Sequence, residues 1–332
     1  MSVVPRGRIM SGWPRLAFGA LIVAGALGAQ GQERYPAQPV KVIVPFPPGG
    51  GTDVVTRLLI ERMRTATGWI FVVDNRPGAG GNIGLDLVAK SKPDGYTLGM
   101  GQTANLAINP SLYPKMPYQV ATDFVPVALV AGQPVVLVVN RESPYKSLAD
   151  LVAAAKAKPG TLTMASAGNG TVGHLTGDLF AKQAGIKTNH IPYKGAGPAA
   201  TDLIGGQVDY YFATPQTVVP FVKTGKLRAL AVSSGKRLPV LPDVPTLSES
   251  GFKGFETSDW KMLVAPAGTP AEIVKGLNAE VAKAMSKPEA LSQLLAEGSV
   301  PMSGSPEEAV RFLKSEQQRW NGVIRGGNIK LD

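Results

Sequence analysis

Short runs of β-branched residues alternate with amphipathic helical segments from residue 40 onward. The run Val40–Val44 predicts a strand, and apolar positions at helical spacing predict a helix that follows it and ends near Thr65. Either Thr52 or Asp53 is expected to cap this helix. Strands that alternate with helices in this way predict right-handed βαβ units and an α/β fold. The other predicted strands are 70–73, 96–101, 134–139, 162–165, 189–193, 208–213, 227–232 and 260–265.

Capping motifs mark the starts of further helices. Ser147, Thr269 and Ser305 are each followed, three residues later, by an acidic residue that can complete a capping box. A proline comes directly after Thr269 and after Ser305, and proline is favoured at the first helical position. The remaining predicted helices are 82–90, 171–184 and a short one from 198.

The order of the strands predicts two lobes. The strand at 134–139 leaves the first group of βαβ units, and the strand at 260–265 returns to it. We therefore expect a discontinuous lobe 1 made of residues 32–131 and 258–332, with lobe 2 (132–257) inserted between them. Each lobe is expected to hold a mainly parallel sheet flanked by helices, with a ligand cleft between the lobes. Because only two backbone crossings would join the lobes, the chain could hinge there.

The N-terminus has the three parts of a secretory signal peptide. Three arginines and no acidic residue occur in the first 15 positions, and an apolar run rich in alanine, leucine and glycine follows at 16–29. This run is too short for an ordinary membrane-spanning helix. Small residues then offer cleavage sites after Gly28 or Gly31. We predict that residues 1–31 are a signal peptide and that the mature protein is periplasmic.

The composition narrows the classes of function. Apolar residues make up 44% of the sequence, and no run of 18 apolar residues occurs after the signal. The absence of cysteine excludes disulfides, thiol catalysis and a lipid anchor on a cysteine. A formal charge of +10 weakly favours anionic ligands. No run of five Lys or Arg residues is present, so nucleic acid is not an expected partner.

Two glycine-rich loops each lead into a predicted helix. The first spans 45–53 and the second spans 166–171, so each predicted lobe contributes one. Successive amides at a helix N-terminus make an anion site, and ligands of open α/β sheets lie beyond the carboxyl ends of the strands. The alternative for either loop is a tight turn that binds nothing. No Gly-Lys-Ser/Thr follows the first loop, which excludes a Walker P-loop.

Two further glycine-rich stretches carry weaker signals. The stretch 75–84 could contact a ligand or pack its backbone against the neighbouring loop. The stretch 195–200 fits G-x-G-x-x-A by letter. It lacks the acidic residue about 20 positions later that would bind a ribose, so a dinucleotide site is not favoured.

Catalytic chemistry has little support. His174 and Asp178 lie four positions apart on one predicted helix, with Ser166 nearby, but no G-x-S-x-G nucleophile elbow is present. His190 is the other histidine, and a zinc site would need more His or Cys than the chain has. An exported hydrolase therefore stays a less favoured alternative.

Ordered motifs run through nearly the whole chain after the signal. They occupy 44–53, 75–81, 94–98, 109–113, 123–127, 168–175, 192–199, 227–232, 241–246 and 265–270. These stretches closely resemble the Bug family, the tricarboxylate-binding receptors of tripartite tricarboxylate transporters.

The resemblance implies a two-lobed α/β fold of the periplasmic-binding-protein kind. It also implies a carboxylate held between the lobes by backbone amides and waters, and delivery to the membrane subunits of a tripartite tricarboxylate transporter. In some relatives the partner is a sensor kinase. Members often carry Asp or Asn shortly after the Phe of the strand at 208–212, where this chain has Ala213-Thr214-Pro215-Gln216. The substrate therefore does not carry over.

The candidate ligand-binding residues lie in or beside these loops. The loops at 48–53 and 166–171 are expected to hold one carboxylate, with Asp53 supporting its loop instead of touching an anion. The segments 102–103 and 214–215 are expected to meet the other end of the ligand. The candidates are Phe46, Pro48, Gly49, Gly50, Thr52, Asp53, Gln102, Thr103, Ser166, Ala167, Gly168, Asn169, Gly170, Thr171, His174, Thr214 and Pro215.

The resulting prediction is a binding protein and not an enzyme. It is a monomeric periplasmic receptor for a small organic carboxylate, such as a di- or tricarboxylate, an acidic amino acid or an aromatic acid. No cofactor and no metal are expected. The alternatives are a sensory subunit that signals to a histidine kinase and the hydrolase.

Overall fold

The computed structural model describes residues 35–327, 329 and 330, and the predicted signal peptide at 1–31 lies outside them. The part of the chain from Gln38 onward forms one compact unit. No helix among the described residues has the length and apolarity needed to cross a membrane. The strands of this unit are β1 (Val40–Val44), β2 (Phe71–Asn75), β3 (Thr97–Gln102), β4 (Phe124–Gly132), β5 (Val136–Asn140), β6 (Thr163–Ser166), β7 (Asn189–Pro192), β8 (Tyr210–Ala213), β9 (Leu227–Val232), β10 (Lys261–Pro266) and β11 (Val300–Pro301).

Helices connect and cover these strands. A 3-10 turn at Ala79–Gly81 and a π-helical turn at Ala104–Ile108 accompany them. The α-helices are α1 (Gly51–Thr67), α2 (Asn82–Ala89), α3 (Asn109–Leu112), α4 (Val120–Asp123), α5 (Leu148–Ala157), α6 (Val172–Ala184), α7 (Ala196–Ile204), α8 (Pro215–Lys223), α9 (Ala271–Met285), α10 (Pro288–Ala296) and α11 (Pro306–Gly327).

The strands form two sheets. The six-stranded sheet has the order β11-β4-β10-β3-β1-β2, and the five-stranded sheet has the order β7-β6-β8-β5-β9. In the first, β1 pairs in parallel with β2 and β3, whereas β10 runs antiparallel to β3 and β4 and β11 runs antiparallel to β4. In the second, β6 is parallel to β7 and β8, and β5 is antiparallel to β8 and β9.

The α/β fold with two helix-flanked sheets is confirmed. Both sheets are mixed, and four of the six strands in the first and four of the five in the second run in one direction. The antiparallel pairings involve the strands where the chain passes from one sheet to the other. β4 leads into β5, and β10 returns to lie between β3 and β4. β4 was not predicted.

Two of the predicted caps are confirmed and two are wrong. Ser147 forms a complete capping box at α5, and Ser305 exchanges the same pair of hydrogen bonds with Glu308 at α11. Thr269 instead donates its hydroxyl to a carbonyl at 2.8 Å, so α9 begins without a side-chain cap. At α1 the N-cap is Gly50, because the glycine-rich loop turns into the helix before Thr52.

The two sheets are joined at a pair of crossings. The chain passes from β4 to β5 through Gln133, and it returns from β9 to β10 through Asp259. These two residues exchange backbone hydrogen bonds at 3.2 and 2.6 Å. Ser233 donates to Val135 and accepts from Thr257 in the same region. The lobe boundaries at 131/132 and 257/258 stay a prediction, but each sheet keeps to one side of these crossings.

Candidate functional site

A cavity lies between the two sheets, where four helices begin. The N-caps or first residues of α1, α6, α7 and α8 all contribute to its wall. Its volume is about 50 Å³, which is room for a few water molecules. The lining residues are Phe46, Pro47, Gly50, Gly51, Thr52, Gln102, Val135, Ala167, Thr171, Val172, Gly173, Ala196, Tyr211, Phe212, Ala213, Thr214 and Asp259.

Three of these four helices have no side-chain cap. The caps Gly50 of α1, Gly195 of α7 and Thr214 of α8 make no side-chain hydrogen bond to the first-turn amides. At α6 the Thr171 hydroxyl accepts from the His174 amide at 3.4 Å. The first amides of a helix have no partner within the helix, so uncapped ends leave N–H groups available to water or a ligand. The cavity wall is therefore suited to an anion.

Asp53 holds the loop that precedes α1 and does not line the cavity. Its carboxylate accepts hydrogen bonds from the Gly49 amide at 3.0 Å, the Arg57 guanidinium at 2.9 Å and the Asn75 side chain at 2.9 Å. Asn75 also donates to the Phe46 carbonyl at 2.9 Å. Burial would raise the pKa of this carboxyl, but its three hydrogen bonds, led by that from Arg57, hold it below the usual value.

Thr52 and Gln102 connect α1 to β3 within the cavity wall. The Thr52 hydroxyl donates to the side-chain oxygen of Gln102, and both residues are buried. The backbone amide of Gln102 donates to Asn105 in the π-helical turn at 2.9 Å. Thr103 lies outside the wall and is fully buried, with its hydroxyl accepting from the Trp260 amide at 2.9 Å. Of the predicted pair 102–103, only the first residue faces the cavity.

The loop at 166–171 is closed by its own hydrogen bonds. Ser166 Oγ accepts from the Gly168 amide at 3.1 Å, and the Thr171 hydroxyl donates to the Gly168 carbonyl at 2.8 Å. The Gly170 amide donates to Nδ1 of His174 at 3.2 Å. Gly168 and Gly170 have φ angles of +136° and +77°, which residues with a Cβ rarely adopt. Glycine at these positions therefore fixes the shape of the loop.

Two stacked histidines lie against this loop. The rings of His174 and His190 are parallel within 8°, and their centroids are 3.9 Å apart. His174 Nε2 lies 3.2 Å from the Asp178 carboxylate, whereas Ser166 Oγ lies 2.6 Å from Nε2 of His190. Burial, with a smaller contribution from His190, lowers the pKa of His174 to about 3. The serine thus contacts His190, and the Asp178 carboxylate lies against His174.

The two sides of the cleft approach each other at two places. A Cβ on Gly51 would stand 2.5 Å from Oε1 of Gln133 and 2.9 Å from Oγ1 of Thr214. At the second place, the Tyr113 hydroxyl donates to the Asn169 carbonyl at 3.3 Å. Gly51 belongs to α1 and Thr214 caps α8, on opposite sides of the cleft. The structure therefore has its cleft closed.

Asp259 is the one charged side chain among the described residues that line the cavity. It forms an ion pair with Lys261, which is fully buried. Burial raises the pKa of Asp259 and lowers the pKa of Lys261, and the charge of each partner opposes these shifts. The Lys261 ammonium also donates to the Asp259 carbonyl at 3.2 Å. The inner wall thus presents a carboxylate, with its counter-charge held behind it.

A second cavity adjoins the first. It shares Phe46, Pro47 and Ala167 with the first cavity, so these three residues separate the two spaces. Its other lining residues come from the loops at 77–81, 168–169 and 192–195, together with Tyr113. The glycine-rich stretch at 75–84 therefore borders the cleft as well as packing against its neighbours.

The predicted residues fall into three groups. Those in the wall of the first cavity are Phe46, Gly50, Thr52, Gln102, Ala167, Thr171 and Thr214. Those that line the adjoining cavity are Gly168 and Asn169, with Phe46 and Ala167 shared. Those that line neither are Pro48, Gly49, Asp53, Thr103, Ser166, Gly170, His174 and Pro215. Sequence reasoning missed ten residues of the first cavity's wall: Pro47, Gly51, Val135, Val172, Gly173, Ala196, Tyr211, Phe212, Ala213 and Asp259. Gly51 and Ala196 belong to glycine-rich stretches that marked their loops.

Comparison with known proteins establishes the family. The family described as "Tripartite tricarboxylate transporter family receptor" matches residues 55–329. Protein BugT of Bordetella pertussis is 41% identical over 94% of this chain and 96% of that protein. Rpa4515 of R. palustris with adipate has a TM-score of 0.86 at 38% identity and covers 89% of this chain and 99% of that one. MatC of Rhodopseudomonas palustris with bound malate has a TM-score of 0.82 at 34% identity, and the match covers 87% of this chain and 100% of that one. The chain belongs to the Bug family of tripartite tricarboxylate transporter receptors.

Proposed function

We propose that the chain is a periplasmic receptor that captures a small organic carboxylate in this cleft and delivers it to the membrane subunits of a tripartite tricarboxylate transporter. The observation that carries the proposal is the convergence of four helix N-termini on one cavity. Positive helix ends and free amides stabilise an anion without a buried cation. The relatives whose structures contain adipate and malate support the same class of ligand.

Backbone amides can supply the binding energy. A hydrogen bond to a charged group contributes about 1.5–3 kcal/mol net. Four such bonds contribute about 6–12 kcal/mol, and a micromolar dissociation constant requires roughly 8 kcal/mol. Bonds in the upper part of this range leave a surplus that offsets the cost of ordering the ligand and the cleft. No Lys or Arg lines the first cavity among the described residues. Release of the ligand would then break no buried ion pair with the protein.

Closure of the cleft would follow from a ligand that touches both sides. The first turn of α1 belongs to one side and the first turns of α6 and α8 belong to the other. A carboxylate bound by amides from both sides stabilises the closed form over an open one, because only the closed form provides all of the contacts. The closed form is the species that we expect the membrane subunits to recognise.

The test of ligand class is calorimetry on the purified mature protein. The panel contains C4 to C8 mono- and dicarboxylates, with the corresponding neutral amides as controls. We expect micromolar binding of at least one acid and none of its fully amidated analogue. Gly51→Ala should weaken that acid at least tenfold, because the added methyl group meets Gln133 and Thr214 in the closed cleft. Gly276→Ala is the matched control, since its Cβ would meet nothing within 4 Å.

Binding of neutral amides as tight as that of the acids would contradict the proposal. So would equal binding by Gly51→Ala and Gly276→Ala. Turnover of an ester by the wild-type protein would favour the hydrolase instead. The contact between Ser166 and His190 is the geometry such an enzyme would use, but Ser166 is fully buried and does not line the cavity.

Export and delivery need separate tests. Mass spectrometry of the periplasmic protein should give a chain that begins between residues 29 and 32, whereas a full-length cytoplasmic product would refute export. Uptake of the labelled acid should fall when either the receptor gene or the genes of the membrane subunits are deleted. If uptake persists while acid-dependent transcription is lost, the receptor serves a sensor kinase instead.

A further inference from the structure

Asp259 places a carboxylate at the inner end of the cleft, beside the crossing between the sheets. Only 6% of the residue is exposed, and it lines the cavity between neutral neighbours. The N-termini of α1, α6, α7 and α8 line the same cavity and supply its amide donors. Those amides attract a carboxylate and Asp259 repels it, so a ligand bound through a carboxylate would present a different group to Asp259.

The hydrogen bonds around Asp259 leave one of its oxygens unsatisfied. Oδ2 faces the Lys261 ammonium in the buried ion pair. The Thr103 hydroxyl is near enough to lower the pKa of the carboxyl, but it donates its proton to the Ser258 carbonyl at 3.2 Å. Oδ1 is buried and has no hydrogen-bond donor. A buried acceptor without a donor is costly, so a ligand group that donates to Oδ1 gains affinity.

The Asp259 carboxylate disfavours the binding of a ligand that carries a second carboxylate. Two like charges in a water-excluded cavity repel strongly, and one of them would have to take up a proton. Lys261 offsets the charge of Asp259, but it is fully buried and does not line the cavity, so it offers no contact to a ligand anion. The inner end of the cleft is therefore an acceptor site next to an otherwise donor-rich wall.

We propose that Asp259 is a specificity-determining residue that selects acids whose far end carries a hydrogen-bond donor, such as a hydroxyl, amide or ammonium group, over dicarboxylates of the same length. The inference rests on the proposed function, because it assumes that the near end is a carboxylate held by the helix N-termini. The proposal narrows the ligand class to carboxylic acids that carry a hydroxyl, amide or amino group at the end opposite the carboxylate.

The test compares ligands that differ only at the far end. Calorimetry on the purified mature protein uses matched sets from C4 to C8: the dicarboxylate, its monoamide, the ω-hydroxy acid, the ω-amino acid and the unsubstituted monoacid. At the chain length that binds best, we expect at least one donor-ended acid to bind tenfold or more tighter than the dicarboxylate. The three donor-ended acids differ in charge, so their ranking identifies which donor the site prefers.

Asp259→Asn removes the negative charge and should reduce that preference at least fivefold, mainly through tighter dicarboxylate binding. Because this variant leaves Lys261 without its partner, Asp259→Asn/Lys261→Met is made in parallel to keep the buried pair neutral. Asp86→Asn, which alters a carboxylate paired with Lys90 in α2, is the control and should keep the wild-type ranking.

The wild-type ranking alone can overturn the proposal, whether or not the variants fold. A dicarboxylate that binds as tightly as the best donor-ended acid of its length would refute it. So would a preference that the folded Asp259 variants leave unchanged. If no acid in any set binds, the proposed function fails and not merely this refinement of it.

Discussion

The buried His174 predicts a specific loss of stability in acid. Its side chain is 2% exposed, and its pKa is lowered from 6.5 to about 3, mainly by burial. In the unfolded chain the ring would bind a proton near pH 6.5. Between these two pKa values the unfolded state holds one more proton than the folded state. Stability due to this group is therefore complete above pH 6.5 and is lost as the pH falls toward 3.

The size of the effect follows from the two pKa values. Each pH unit in this window costs about 1.4 kcal/mol, and integration from pH 7 to pH 5 gives a loss of about 2 kcal/mol. His174→Asn keeps a side-chain acceptor near the Gly170 amide but removes the titration. It should lower stability at pH 7 through the lost ring stack and the lost contact with Asp178. Its further loss between pH 7 and pH 5 should be about 2 kcal/mol smaller than that of the wild type.

Urea denaturation of both proteins at pH 7.0 and pH 5.0 gives the change in the free energy of unfolding between these pH values for each protein, and the two changes are then compared. The titrating groups that do not contact His174 are common to both proteins, so their contributions cancel to first order. Equal pH dependence in the wild type and in His174→Asn would refute the conclusion that His174 stays neutral in the folded state. A His174→Asn protein that loses more stability in acid than the wild type would refute the sign of the argument.

Three further predictions concern the loops. Asp53→Ala should lower the free energy of unfolding by about 1.5–3 kcal/mol, because three hydrogen bonds are lost. Arg57→Ala should lower it by less than about 1 kcal/mol, because the exposed ion pair of Arg57 contributes little, and urea denaturation of both variants measures the difference. Thr171→Ala should weaken all bound acids by a similar factor in calorimetry, since it removes the cap of α6 and a bond that closes its loop. Thr214→Val should change the ranking among acids, because Thr214 lines the cavity without supporting the loop at 166–171.

Local signals in the sequence predicted most of the fold. β1, β9 and α2 lie within a residue of their predicted bounds, because periodicity and flanking glycines mark them clearly. β4 was not predicted, although it is buried as continuously as β10, which was. The mixed pairing of the sheets depends on where β10 inserts, between β3 and β4, and this is a property of the tertiary fold.

The candidate site was predicted in part, for the same reason. Phe46, Gly50 and Thr171 belong to glycine-rich loops that open helices, and this pattern is visible along the chain. Asp259 belongs to no such motif. It reaches the cavity because the chain crosses back between the sheets at that point, next to Gln133. Because Asp259 lies far along the sequence from the glycine-rich loops, no local pattern marks it as part of the site.

The position of the cavity next to the crossings connects binding to closure. Val135 and Asp259 line the cavity, and each belongs to one of the two segments that pass between the sheets. If the lobes rotate about these crossings, a ligand that touches both segments lies near the axis, where displacements are small. Gly51 and Thr214 lie on opposite sides of the cleft, and a Cβ on Gly51 would stand 2.9 Å from Oγ1 of Thr214. Contacts near the axis can then select the ligand in both the open and the closed form, whereas contacts across the cleft form only after the ligand is bound and the cleft has closed.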